Sequence, residues 1–200
     1  MPIRAVIFDI GGVILHTRNH DRRCAWEERL GLPQGQLGQI VFGSEAAARA
    51  ASGEVLEGKV WREVGRTLEL RDDQLAGLRR DFWADEQLDL ELAQFIQSLR
   101  PRIKIAIITN AWSDARAIHN SRFQLNAWTD VAIYSAEVKL VKPDARIYQL
   151  ALSQLGVRAD ACVFVDDVLV NVQAAQALGM KGVQYKDTPQ AIAEIQGCLA

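Results

Sequence analysis

Cysteine is scarce and scattered. Cys24, Cys162 and Cys198 show neither the spacing of a zinc site nor the even count of a disulfide framework. They read as free thiols in a reducing compartment, which points to the cytoplasm. A basic excess is also missing. Charged residues make up 24% of the chain and the formal net charge is −2, which argues against a nucleic-acid partner. No apolar run approaches the roughly 20 residues that a membrane span needs. Residues 1–10 carry one Arg and reach Asp9 without the apolar stretch or small-residue cleavage site of a secretory signal. Repeats and low-complexity tracts are absent, and nothing in the sequence bears on oligomeric state.

What is present is an alternation. Hydrophobic residues are 49% of 200, enough for one sizeable α/β domain with or without a small insertion. Short apolar, β-prone runs lie at 3–8, 103–108, 131–134, 161–165 and 181–185. Between them the pattern predicts helices over about 88–100, 113–121, 144–155 and 168–178. Gly156 and Gly179 stand where helices end, and Pro101 closes the helix before the second strand. Strand alternating with helix implies a parallel, doubly wound, Rossmann-like sheet. The segment 17–86 differs. It shows no convincing strand and five helical stretches, near 20–30, 34–42, 44–51, 57–69 and 72–83, broken at Gly31-Leu32-Pro33, Gly43 and Ser52-Gly53. The expected organisation is therefore an α/β core from 1–16 and 87–200, with an all-helical unit over 17–86 inserted after the first strand.

Every strong polar signal falls at the carboxyl end of an expected strand, the edge where open α/β sheets bind ligands. Asp9 follows the first strand, Thr109 and Asn110 the second, and Asp166 and Asp167 the fourth; Lys142 lies in the loop after the third. A carboxylate can attack phosphorus and split one displacement into two. Crowded carboxylates repel unless a cation joins them, and Mg2+ favours such all-oxygen sites. A hydroxyl, an amide and an ammonium can hold phosphoryl oxygens. The set reads as phosphoryl transfer. The same residues also admit plainer roles. Thr109 and Asn110 could cap the 113–121 helix, and Asp166 and Asp167 the 168–178 helix. Lys139 is the weaker alternative to Lys142.

Four motifs in order carry a resemblance to the haloacid dehalogenase superfamily of hydrolases over essentially the whole chain. They are Phe8-Asp9-Ile10-Gly11-Gly12-Val13, Ile108-Thr109-Asn110, Lys142-Pro143-Asp144 with Ile147-Tyr148 behind it, and Phe164-Val165-Asp166-Asp167 with Asn171-Val172 and Ala174-Ala175. The resemblance implies a phosphatase in which Asp9 is nucleophile and metal ligand, the Gly11 carbonyl and Asp167 complete a Mg2+ site, and Thr109 and Lys142 bind phosphate. Asp166 becomes an alternate ligand or one that acts through its neighbours. The insertion resembles the helical cap found after the first motif in many members, and caps of that kind exclude water from small substrates.

One position departs from the pattern. Most phosphatases of the family carry an aspartate, the general acid and base, two residues after the nucleophile; here Gly11 stands there. General acid catalysis contributes about 10²–10⁴-fold. An activated leaving group, such as a sugar anomeric phosphate, would need less of it. The expected substrate is a small phosphorylated metabolite, a sugar phosphate among the options. Two rivals share the motifs: a metal-independent 2-haloacid dehalogenase-type hydrolase, and a non-catalytic phosphate-binding relative. Asn171 either orders a helix start or reaches the metal site through water. Arg18, with His16, His20, Arg22 and Arg23, stands where an anionic substrate could enter, or forms a solvated face. Trp112 stacks on a substrate or packs; Trp26, Trp61 and Trp83 are expected in the core of the insertion and Trp128 on the main domain.

Overall fold

The computed structural model of the chain describes residues 2–17 and 20–200. Strand β1 (Ala5–Phe8) is followed by a short β2 (Leu15–Thr17) and five helices: α1 (Asp21–Leu30), α2 (Gln36–Phe42), α3 (Glu45–Ala51), α4 (Glu57–Thr67) and α5 (Asp72–Phe82). The chain then forms β3 (Glu86–Leu88), α6 (Leu90–Leu99), β4 (Lys104–Thr109), α7 (Ala115–Phe123), β5 (Val131–Tyr134) and α8 (Ser135–Val138). It closes with α9 (Ala145–Leu155), β6 (Cys162–Asp166), α10 (Leu169–Ala177), β7 (Lys181–Gln184) and α11 (Thr188–Leu199).

Five strands form a parallel sheet in the order β5-β4-β1-β6-β7. The order reverses direction around β1, so the carboxyl ends of β1, β4 and β6 meet at one crevice. Alternation along the strands sends side chains to two cores. Val6, Phe8, Ile105 and Ile107 pack with Leu92 and Ile96 of α6 and Ile195 of α11. Ala5, Ile7, Ala106 and Ile108 pack with Ile147, Tyr148 and Ala151 of α9 and Ala175 of α10. Both faces are covered, which is why these strands read as continuous apolar runs. The helices end as the sequence indicates. Asp144 caps α9 by accepting a hydrogen bond from Arg146 N at 2.9 Å, and Gly156 closes it in the left-handed region with φ 65°.

The insertion builds its own core from Trp26, Leu37, Val41, Ala50, Val60, Trp61, Leu78 and Phe82. The expectation of no strand in 17–86 is corrected at both ends. β2 and β3 pair antiparallel, Leu15 with Leu88 and Thr17 with Glu86, so a two-stranded ribbon carries the chain out of the sheet and back. These strands depend on pairing across about 70 residues and leave no local period to read. Helix α11 was not anticipated either, although Asp187 accepts from Gln190 N at 2.8 Å and Pro189 sits in the first turn. Among the described residues, no helix is long and apolar enough to cross a membrane.

Candidate active site

The crevice at the sheet edge gathers the charged residues that the sequence places at strand ends. Asp9 N donates to Val165 O at 2.9 Å, which extends the β1–β6 pairing and fixes the carboxylate over the crevice. Lys142 is 5% exposed, whereas Lys139 is exposed at the end of α8, so burial selects Lys142. Its Nζ lies 2.8 Å from Asp9 Oδ1 and 2.6 Å from Asp166 Oδ2. Asn110 positions this lysine. Its amide donates to Lys142 O at 2.9 Å and its carbonyl accepts from Lys142 N at 2.8 Å. Both ends of the Asn110 side chain are thereby engaged, so its contribution reaches the site through Lys142. Ser135, fully buried, braces the same turn by accepting from Ala111 N at 2.9 Å.

Asp166 is fully buried and saturated. It accepts from Lys142 Nζ, from Val168 N at 2.8 Å and from Asn171 Nδ2 at 3.2 Å. Its bond from Val168 N braces the turn into α10, but Val168 holds the N-cap position and no side chain caps the helix, so the capping alternative for Asp166 and Asp167 is not what the structure contains. Asn171, 6% exposed, orients Asp166 directly. Asp167 is exposed at the crevice rim, and its carboxylate lies against Gly12. Gly12 has φ +80°, which favours glycine, and its missing Cβ leaves room for the Asp167 carboxylate. Thr109, 5% exposed, ends β4 beside the same crevice. The capping alternative for Thr109 and Asn110 is not what the structure contains: α7 starts at Ala115, with Asp114 at its N-cap position.

Burial drives the electrostatics. It pushes the Asp9 carboxyl up to about 6, against the pull of Lys142 and with further upward help from Asp166. Asp167 is raised by burial and then by Asp166. One ammonium faces three carboxylates. Asp9 Oδ1, although close to Lys142 Nζ, accepts no aligned hydrogen bond and is a buried orphan acceptor. Asp9, Asp166 and Asp167 each offer one oxygen within 4.8 Å of the others. An all-oxygen, net-negative donor set with an unsatisfied acceptor fits a hard divalent cation such as Mg2+.

Beside the acids lies a cavity of about 330 Å3 between the insertion and the sheet edge. Ile10, Gly11 and Thr109 line the end of it beside Asp9. Trp112 both packs and lines it: the indole is 8% exposed, Nε1 donates to Ala47 O at 3.1 Å, and the ring joins the core of the insertion. Trp83 is half-buried and lines the cavity as well as packing on that core, and Trp26, Trp61 and Trp128 pack as expected. Phe42, Ala48 and His119 also line the cavity. Sequence patterning hides them, because a helix residue facing a cavity has the same period as one facing a core.

Of the basic cluster after the first motif, His16, Arg22 and Arg23 contact the scaffold. His16 Nε2 lies 3.1 Å from the Tyr185 hydroxyl and 3.6 Å from Asp89 Oδ2. Arg22 pairs with Asp81 and Asp85, and Arg23 donates to Phe82 O at 2.9 Å. His20 is exposed at the start of α1. Arg18 lies outside the described residues. All three cysteines are free.

Comparison with known proteins follows the same lines. The chain is 27% identical over 98% of its length to bifunctional epoxide hydrolase 2 of Sus scrofa, spanning 39% of that longer protein. It is 28% identical to the sesquiterpene phosphatase astK of Aspergillus oryzae, covering 98% of the chain and 97% of that protein. The phosphorylated carbohydrates phosphatase of Thermotoga maritima is 27% identical over 90% of the chain and 84% of its own length. Among solved structures, a HAD family enzyme of Bacteroides thetaiotaomicron in complex with magnesium and inorganic phosphate superposes with TM-score 0.76 at 15% identity, over 92% and 94% of the two chains. A 2-haloacid dehalogenase of Pseudomonas syringae gives TM-score 0.64 at 21% identity, over 98% of each. At such identities the structural likeness carries the fold. The family model for haloacid dehalogenase-like hydrolase matches residues 3–179, and the chain belongs to that family.

Proposed function

We propose that this chain is a Mg2+-dependent hydrolase of small phosphate monoesters that works through an aspartyl phosphate on Asp9. The observation that carries the reading is the buried Lys142 ammonium held between Asp9 and Asp166, with a third carboxylate, Asp167, at the rim. Asp9 attacks phosphorus in line, and the P–O bond to the alcohol breaks. Lys142 and the Thr109 hydroxyl hold the phosphoryl oxygens as charge spreads over them. Asn110 keeps Lys142 in reach, and Asn171 keeps Asp166 turned toward it. Mg2+ would be held by Asp9, the Gly11 carbonyl and Asp167. It supplies charge neutralisation at the phosphoryl oxygens when bound. Asp166 is the lesser ligand, because its oxygens are already taken. Water then cleaves the acyl phosphate and returns Asp9. With Gly11 where an acid would stand, the alcohol leaves without a side-chain proton donor.

Relatives bearing the names of carbohydrate and sesquiterpene phosphatases support a phosphatase and leave sugar and apolar phosphates both in play. The helical insertion over 17–86 acts as the cap in this reading, and the free cysteines suit a cytoplasmic site of action. Metal-free dehalogenation is disfavoured by the crowding of Asp166 and Asp167 beside Asp9, which calls for a cation. The test is a phosphoester panel that includes acetyl phosphate, run with Mg2+ and with chelator, for the wild type and Asp9→Asn. Turnover that needs both Mg2+ and Asp9 is expected. Activity surviving chelation would favour dehalogenase-type chemistry. Metal and phosphate binding without cleavage of any ester would favour the non-catalytic relative.

A further inference from the structure

The cavity beside the acids has a largely apolar wall. Phe42, Trp83 and Trp112 form an aromatic side, with ring centroids 5.7 to 5.9 Å apart. Ala47, Ala48 and Ala51 of α3 and Ile118 add to the apolar wall. The polar side chains on the wall away from Thr109, the two indoles aside, are few, and each has a partner inside the protein. Glu57 takes hydrogen bonds from Trp61 Nε1 at 2.8 Å and Arg79 Nε at 3.2 Å. Glu86 pairs with Arg122 at 3.3 Å, and His119 Nδ1 lies 3.3 Å from the Tyr134 hydroxyl. Asn110 is spent on Lys142. Phe42, although it completes the wall, is 51% exposed, so an apolar guest would cover it.

We infer that the alcohol portion of the substrate is a neutral, compact apolar group, and that this cavity binds it while Asp9 handles the phosphate; the inference rests on the phosphohydrolase reading above. A sugar would bring several hydroxyls against a wall that is mainly aromatic and aliphatic, and those facing Phe42, Trp112, Ile118 and the α3 alanines would lose water without a replacement partner. A second anionic group would meet Glu57 and Glu86. An apolar group loses nothing by entering and gains about fourfold in affinity per buried methylene. At about 30 Å3 per water-sized group, the cavity holds about ten such groups, which suits a chain or ring system of about eight to ten carbons. Ile10 and Gly11 join the cavity to Asp9, so a phosphate on the acids leaves its alcohol facing the aromatic wall.

The test separates tail from chemistry. Octylphosphonate and methylphosphonate, neither hydrolysable, are titrated into the Mg2+-loaded protein with Trp83 and Trp112 fluorescence as the readout. Octylphosphonate is expected to bind about 100-fold tighter or more. Octyl phosphate and glucose 6-phosphate, both esters of primary alcohols, should differ at least about 10-fold in kcat/KM in favour of octyl. Ala48→Phe, at an exposed position of α3, fills the cavity from its rim without disturbing a core. It should cut the octyl-over-methyl preference to less than about 10-fold. Equal binding of the two phosphonates would overturn the inference, as would an Ala48→Phe protein with the full preference, or glucose 6-phosphate cleaved as well as octyl phosphate. Failure to cleave acetyl phosphate would strike the phosphohydrolase reading alone, since phosphonate binding tests the cavity without turnover.

Discussion

The two halves of the active-site crevice are built on opposite principles. At the sheet edge, three carboxylates and one lysine are packed together, with an acceptor on Asp9 left without an aligned donor. On the other side, toward the insertion, acidic side chains are neutralised by arginines and the surface is aromatic and aliphatic. The first half stores unfavourable electrostatics that a cation would relieve. The second stores uncovered apolar area that a tail would relieve. In the proposed reading, reaction and selectivity fall on different elements: on the ends of β1, β4 and β6 for chemistry, and on α2, α3 and the β3 approach for recognition.

Changes on the sheet edge should act on rate. The largest expected effect is that of Lys142→Met, which keeps the side chain's bulk and removes its charge. It should lower kcat by about 10²–10³, the scale for losing one preorganised stabiliser of developing charge, in steady-state assays with acetyl phosphate. Gly11→Asp is the converse. A Cβ at Gly11 meets nothing within 4 Å, and the residue lines the end of the cavity beside Asp9, so the carboxylate has room. It should raise kcat on unactivated alkyl phosphates by about 10²-fold and act much less on acetyl phosphate, as expected for a restored general acid. Equal gains on both substrates would show that proton donation is not what Gly11 lacks.

Stability should respond to pH with opposite signs in the two halves. Asp9 is raised from 3.8 to about 6, so between those values the folded state holds more protons than the unfolded. Its contribution is fully present below about pH 4 and lost as pH rises through about 6. In metal-free protein at pH 7, Asp9→Asn should therefore gain about 1 kcal/mol, a Tm rise of about 2–4 °C. His119, on the cavity wall, is lowered from 6.5 to about 4, by burial first and then by Arg122. Here the unfolded state holds more protons, so stability is lost as pH falls from about 6.5 toward 4. His119→Gln should remove that slope, seen as a smaller Tm difference between pH 7 and 5 than in the wild type.

Much of this was legible in the chain, for a physical reason. Buried parallel strands demand continuous apolar runs, and the residues at their carboxyl ends sit at the ligand edge, so Asp9, Thr109, Asp166 and Asp167 announce themselves, while Lys142, beyond α8, is marked by its motif. The helices of the insertion follow from amphipathic period and glycine breaks. What could not be read depends on partners distant in sequence. The Asn110 amide finds the Lys142 backbone 32 positions away. The β2–β3 ribbon exists only because Leu15 meets Leu88. The cavity is a property of α2, α3 and β4 together, and Phe42 or Ala48 alone gives no sign of it. Gly53 shows how close that apposition is. With φ +70°, its added Cβ would stand 2.1 Å from Ala136 O on the core, so Gly53 lets the insertion seat over the crevice.

Transfer of a phosphoryl group to Asp9 is the central claim, and intact-protein and peptide mass spectrometry after rapid acid quench tests it most directly. With acetyl phosphate and Mg2+, the peptide containing Asp9 should carry one phosphoryl group, and the adduct should vanish with chelator or in Asp9→Asn. Turnover of phosphate esters with no adduct on Asp9, at any quench time and with activity undiminished in Asp9→Asn, would contradict it.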